Sequence, residues 1–249
     1  MSKAKLCLYL ILINLLSFPV SLGYAKDNSI VLITAPSVLA VPIKDNHEPL
    51  IDLKNQQKIA YGDSPEIPNN HDYTKLRKTV YQKLIQAQKL LPHGLHFCLY
   101  EGYRSINLQK QLFAKRFNIV KKEHPTWPTE KIFQETTKLV SPVINLDNTQ
   151  NIPAHSTGGT FDIYLIDDLG KPIEMGIHPK DWLQDDGSLS LTASKKISQK
   201  AQKYRTIMSN ALTAVGFINY PTEYWHWSYG DRYWAFMAQK PYAIYGSYE

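Results

Sequence analysis

The stretch AHSTGGTFDIYLID, Ala154 to Asp167, sets His155 and Asp162 on either side of a pair of glycines. Both side-chain types can ligate a metal, but on one extended strand an odd offset of this size would point them to opposite faces, with the ends about 23 Å apart. Gly158 and Gly159 permit a turn that other residues would strain. The expected arrangement therefore folds His155, on a loop, back beside Asp162 at the start of a strand, with the apolar IYLI as its support. A second pair, Glu223 and His226 in TEYWHW, poses the same problem of an odd offset. Pro221 places Glu223 on the irregular entry and leaves His226 in the strand proper.

A single histidine is ordinarily a hydrogen-bonded structural residue, but together these positions offer two imidazoles and one carboxylate, with a second carboxylate beside them. That donor set fits one catalytic Zn2+ rather than a structural ion, because three protein ligands leave a fourth position for water, which the ion can acidify to a pKa of about 7. Glu223 is then the candidate general base. Arg104, in EGYRS, is the third polar place. A guanidinium at a strand-to-helix corner can stabilise an oxyanion or clamp a substrate carboxylate, and taken alone it would read as a surface ion pair.

These residues need a scaffold. Leu76, Val80, Leu84, Ala87 and Leu91 recur at helical spacing, so a helix is predicted over Tyr73 to Leu91, ended by PHG. LHFCLYEGYRS reads as a strand and turn, with Ser105 capping a helix striped by Leu108, Leu112, Phe113, Phe117 and Val120. Further helices are predicted over Thr129 to Val140 and Ser194 to Val215, the second closed by Gly216. TFDIYLIDDLGKPIEM reads as a hairpin turning at DDLGK, and EYWHWSY as the last strand. SIVLI and SVLAV, within residues 27 to 50, read as short β runs of an N-terminal arm. Helices before and after clustered strands give an α+β fold, a small mainly antiparallel sheet flanked by helices.

The 249 residues are 43% hydrophobic and 20% charged, a globular composition with length for one sizeable core. Lys3 and Lys5 precede the apolar run from Leu6 to Leu16, and small residues follow at Gly23 and Ala25. Residues 1–25 are thus expected to be a cleaved signal peptide, leaving a single domain over 26–249 with 26–50 as its arm. The mature chain would be periplasmic or secreted, with no membrane partner after cleavage. It would retain only Cys98, as a buried thiol without a disulfide. The net charge of +6 is scattered rather than striped with aromatics, which argues against a nucleic-acid partner.

On these motifs the chain resembles the zinc-dependent D-alanyl-D-alanine dipeptidases of the vancomycin-resistance type, relatives of the D,D-carboxypeptidases. The pattern S-x-H-x-x-G-x-A-x-D is met at His155, Gly158 and Asp162, E-x-W-H at Glu223, Trp225 and His226, and G-Y-R at Gly102, Tyr103 and Arg104. The similarity runs in family order from about Asp52 to AIYGS near the C-terminus. The resemblance implies His155, Asp162 and His226 as ligands of one zinc ion, Glu223 as base and Arg104 as transition-state stabiliser. It also implies a fold shared with the zinc domain of hedgehog proteins. Asp181 is the implied site for the substrate ammonium, with Tyr103 and Ser156 as further substrate contacts. Pro153 stands where the pattern has serine and Thr160 where it has alanine, so the pocket is expected to differ there.

The implied substrate is a small D-amino-acid dipeptide or a peptidoglycan-derived peptide. Two competing readings accompany it: a D,D- or L,D-carboxypeptidase trimming stem peptides, and a non-catalytic zinc-stabilised binding module. Retention of Glu223 and Arg104 counts against the module, since a structural site needs neither.

Overall fold

Strand alternation in TFDIYLI decides how the molecule is layered. In the computed structural model, which describes residues 30–63, 65 and 70–248, this run is β5, Thr160–Ile166, and all seven residues are buried. Phe161, Ile163 and Leu165 face the main core, while Thr160, Asp162, Tyr164 and Ile166 occupy the opposite face. The main core also takes Val80, Leu84 and Ala87 from α2 (Lys78–Gln88) and Met208, Ala211 and Leu212 from α5 (Gln199–Ala214). One face of the sheet is therefore sealed by helices. The other is left to carry the site.

Around β5 the sheet runs β2 (Ala60–Tyr61), β4 (His96–Glu101), β5, β7 (His226–Ser228), β6 (Ile218–Asn219), antiparallel except for the β2–β4 pair. A second ladder joins β1 (Leu50–Asp52) to β3 (Lys75–Arg77). Helices α3 (Ile106–Glu123) and α4 (Thr129–Thr136) pack on each other, with Phe113 against Phe117 and Phe133. Helix α1 (Pro36–Leu39) lies against α6 (Arg232–Met237). The mixed α+β class and mainly antiparallel sheet agree with the sequence reading, and Ser105 caps α3 through the Leu108 amide. No helix among the described residues is long and apolar enough to cross a membrane.

Several boundaries differ from expectation. The helix expected from Tyr73 begins at Lys78, because Lys75–Arg77 pairs with Leu50–Asp52. The helix expected to reach Val140 ends at Thr136, and the one expected from Ser194 starts after the Ser198 cap. The turn at DDLGK forms, with the Asp167 amide bonded to Lys171 O, but the second run makes only an isolated bridge from Ile166 to Pro172. Proline has no N–H to extend a ladder. SVLAV is not a strand: Pro36 opens a four-residue helix there. The expected signal segment lies outside the described residues.

The glycine pair folds as its chemistry requires. Ala154–Thr157 forms a 3-10 turn ended by Gly158 at φ 68°, in the left-handed region. A Cβ on Gly159 would come within 2.4 Å of the Tyr229 carbonyl oxygen. Gly159→Ala is expected to destabilise the fold by more than about 1 kcal/mol, since backbone must move to relieve that contact. Denaturant unfolding checks this, and an unchanged midpoint would contradict it.

Candidate active site

Three adjacent strands each deliver one polar residue to the same row of the sheet face opposite the main core. Asp162 on β5 pairs with Glu101 on β4 and with His226 on β7. Strict alternation would send Glu101 to the core side, but the β4–β5 register shifts between Leu99 and Glu101. The irregularity re-aims the carboxylate. His155 arrives from the 3-10 turn, and its Nδ1 lies 2.8 Å from Gly102 O. A carbonyl can only accept, so Nδ1 carries the proton and Nε2 presents its lone pair. A Cβ at position 102 would meet Lys75 O at 2.5 Å, which is why glycine opens the G-Y-R motif.

The ligand atoms of His155, Asp162 and His226 all lie within 4.8 Å of one another, and all three residues are buried. His155 Nε2 stands 3.5 Å and His226 Nδ1 3.1 Å from Asp162 Oδ1. Ligands of a tetrahedral zinc, each about 2.0–2.2 Å from the ion, stand roughly 3.3–3.5 Å apart. Asp162 Oδ1 is buried yet receives no well-formed hydrogen bond. A carboxylate oxygen in that condition is costly unless a cation neutralises it. The donor set therefore fits zinc.

The protonation states also suit a metal. Burial alone would raise the Asp162 carboxyl, but the imidazoles of His155 and His226 outweigh it and hold the group well below the usual carboxylate range. Burial pushes the His226 imidazole down, against the pull of Asp162. An ionised carboxylate is what a divalent cation requires of this position.

Glu223 lies in the turn after Pro221, with Oε2 3.7 Å from His226 Nδ1. Asn219 ties this turn down, donating from Nδ2 to Glu223 O at 3.1 Å and to His226 O at 3.0 Å. Arg104 lines the same cleft, held by Glu101 and Gln109. Its Nε donates to Glu101 Oε1 at 3.0 Å, its Nη2 to Glu101 Oε2, and its Nη1 to Gln109 Oε1 at 2.9 Å. This fork-on-fork pairing is largely buried rather than a surface ion pair, and it fixes the guanidinium plane.

The structure thus brings together His155, Asp162, His226, Glu223 and Arg104. Asp181, Tyr103 and Ser156 do not line the cleft. Asp181 sits in the one-turn segment Pro179–Gln184, whose Pro179 and Trp182 reach the cleft instead. Tyr103 Oη donates to Tyr248 O, and the Tyr248 amide donates to Ser156 O, so both anchor the C-terminal tail. Pro153 does line the cleft, whereas the Thr160 hydroxyl is buried and donates to Asp231 at 2.6 Å. Glu101 and Asn219 went unread in the sequence. Glu101 was visible only as a carboxylate three residues before Arg104, and Asn219 gave no signal.

This site gathers two imidazoles and two carboxylates in one cleft, a set that could hold a divalent cation beside a general base. The family described as D-ala-D-ala dipeptidase matches residues 70–244, and the chain belongs to it. It is a peptidase, hence a hydrolase. A D-alanyl-D-alanine dipeptidase from Synechocystis sp. is 27% identical over 225 residues, covering 80% of this chain and 89% of that protein. Among solved structures, VanYB in complex with D-alanine-D-alanine covers 82% of this chain and 93% of its own at 14% identity, with a TM-score of 0.40. The LD-carboxypeptidase LdcB covers 78% and 76% at 16% identity and the same TM-score of 0.40.

Proposed function

We propose that this peptidase is an exported, zinc-dependent D,D-dipeptidase that hydrolyses D-alanyl-D-alanine, with one ion held by His155, Asp162 and His226. The observation that carries the reading is the convergence of those three buried ligand atoms within 4.8 Å in a cleft that also holds Glu223 and Arg104. Family membership and the dipeptidase activity named for the Synechocystis relative support the substrate. The basic, apolar start of the chain supports export.

A zinc ion bound there supplies a Lewis acid and lowers the pKa of water to about 7. The chain's own residues do the rest. Glu223 takes the proton of the attacking water on its carboxylate and returns it to the leaving amine. Arg104, its plane fixed by Glu101 and Gln109, stabilises the oxyanion that forms when the amide carbonyl is attacked. The Gly102 carbonyl holds His155 in the tautomer that keeps Nε2 turned to Asp162.

Product analysis with D-alanyl-D-alanine and a stem pentapeptide side by side tests the substrate. Free D-alanine from the dipeptide is expected. Exclusive turnover of the pentapeptide would replace this reading with a carboxypeptidase, and inertness towards both would favour a binding module.

A further inference from the structure

The cleft has one wall from outside the family-matched region. Ile33, in the arm before residue 70, lines it together with Tyr220, whose ring stands edge-on to His226 at 5.6 Å. The arm is fixed there rather than loosely draped. Val31, Leu32, Ile33 and Ala35 pack on the buried cluster of Val38, Tyr220 and Tyr233. Arg232 Nε donates to Val41 O at 3.1 Å, and Ile43 pairs with Ala243. Beyond Ile33 lies a second, smaller pocket lined by Asn151, Asp231 and Arg232. The two pockets have Ile33, Ser141 and Ala154 in common. Ile33 contributes the largest side chain of that partition.

We infer that Ile33 is a specificity-determining residue that limits the substrate to two residues by closing the cleft before the second pocket. The inference rests on the dipeptidase reading and sharpens it. On this inference a dipeptide ends within the cleft, whereas a peptide extended at its amino end crosses the Ile33 position towards the second pocket. Shortening that side chain opens the cleft towards the second pocket, which Arg232 also lines. A change of a few methylenes at such a wall alters discrimination by about 10-fold or more.

The test compares D-alanyl-D-alanine with L-lysyl-D-alanyl-D-alanine on the zinc-loaded full chain, with Ile33→Val and Ile33→Ala as graded variants. The ratio of kcat/KM, tripeptide over dipeptide, is expected to rise by about 10-fold in Ile33→Ala and by less in Ile33→Val. Calorimetric binding of both peptides to Glu223→Gln, with and without Ile33→Ala, reads the same ratio without turnover. A wild-type protein inert to both peptides would overturn the dipeptidase reading, and the binding ratio would still decide the role of Ile33. A ratio that Ile33→Ala leaves within about twofold of wild type overturns the inference.

Discussion

Glu223→Gln is expected to lower kcat by about 10²–10⁴-fold while zinc content and the unfolding midpoint stay at wild-type values. Glutamine keeps the shape of the side chain and its hydrogen-bonding reach but cannot accept and return a proton. Glu223 is well placed for that exchange, because its carboxylate lies 3.7 Å from His226 Nδ1 in a turn anchored by Asn219. The Asn219 bonds go to main-chain carbonyls, so the substitution leaves the turn intact. Steady-state kinetics with metal analysis on the same preparation checks the expectation. Full activity in Glu223→Gln would remove the proton-transfer role.

Asp162→Asn is expected to weaken zinc binding by about 100-fold or more, and turnover at limiting zinc with it. The carboxylate is the single anionic member of the donor set, and the neighbouring imidazoles hold it ionised. Asparagine preserves volume and strand register but leaves two neutral imidazoles and an amide, a much poorer set for a divalent cation. The metal-free protein is expected to stay folded, since Phe161, Ile163 and Leu165 hold β5 in the core on the opposite face. Competition against a chelating indicator gives the affinity. Undiminished zinc binding would show that Asp162 is not a ligand.

The site was legible where a backbone constraint sat beside the chemistry. Gly158 and Gly159 between His155 and Asp162 permitted a turn, and the left-handed Gly158 supplies it. Pro221 marked the irregular entry on which Glu223 sits. Local pattern failed where a distant partner decides. Leu76 fits helical spacing from Val80, yet its strand partner Ile51 lies far upstream, and burial satisfies either pattern. Tyr103 and Ser156 adjoin the motifs but bond to Tyr248 at the far end of the chain. Glu101 faces the cleft only through a register shift in β4 that no composition signals.

The most direct measurement is release of free D-alanine from D-alanyl-D-alanine by one protein sample as zinc-loaded, chelator-stripped and zinc-restored preparations. Stoichiometric zinc and turnover are expected to disappear together on stripping and to return together at one ion per chain. Dipeptide hydrolysis that persists in fully stripped protein, or none at all once zinc is restored, would contradict the account.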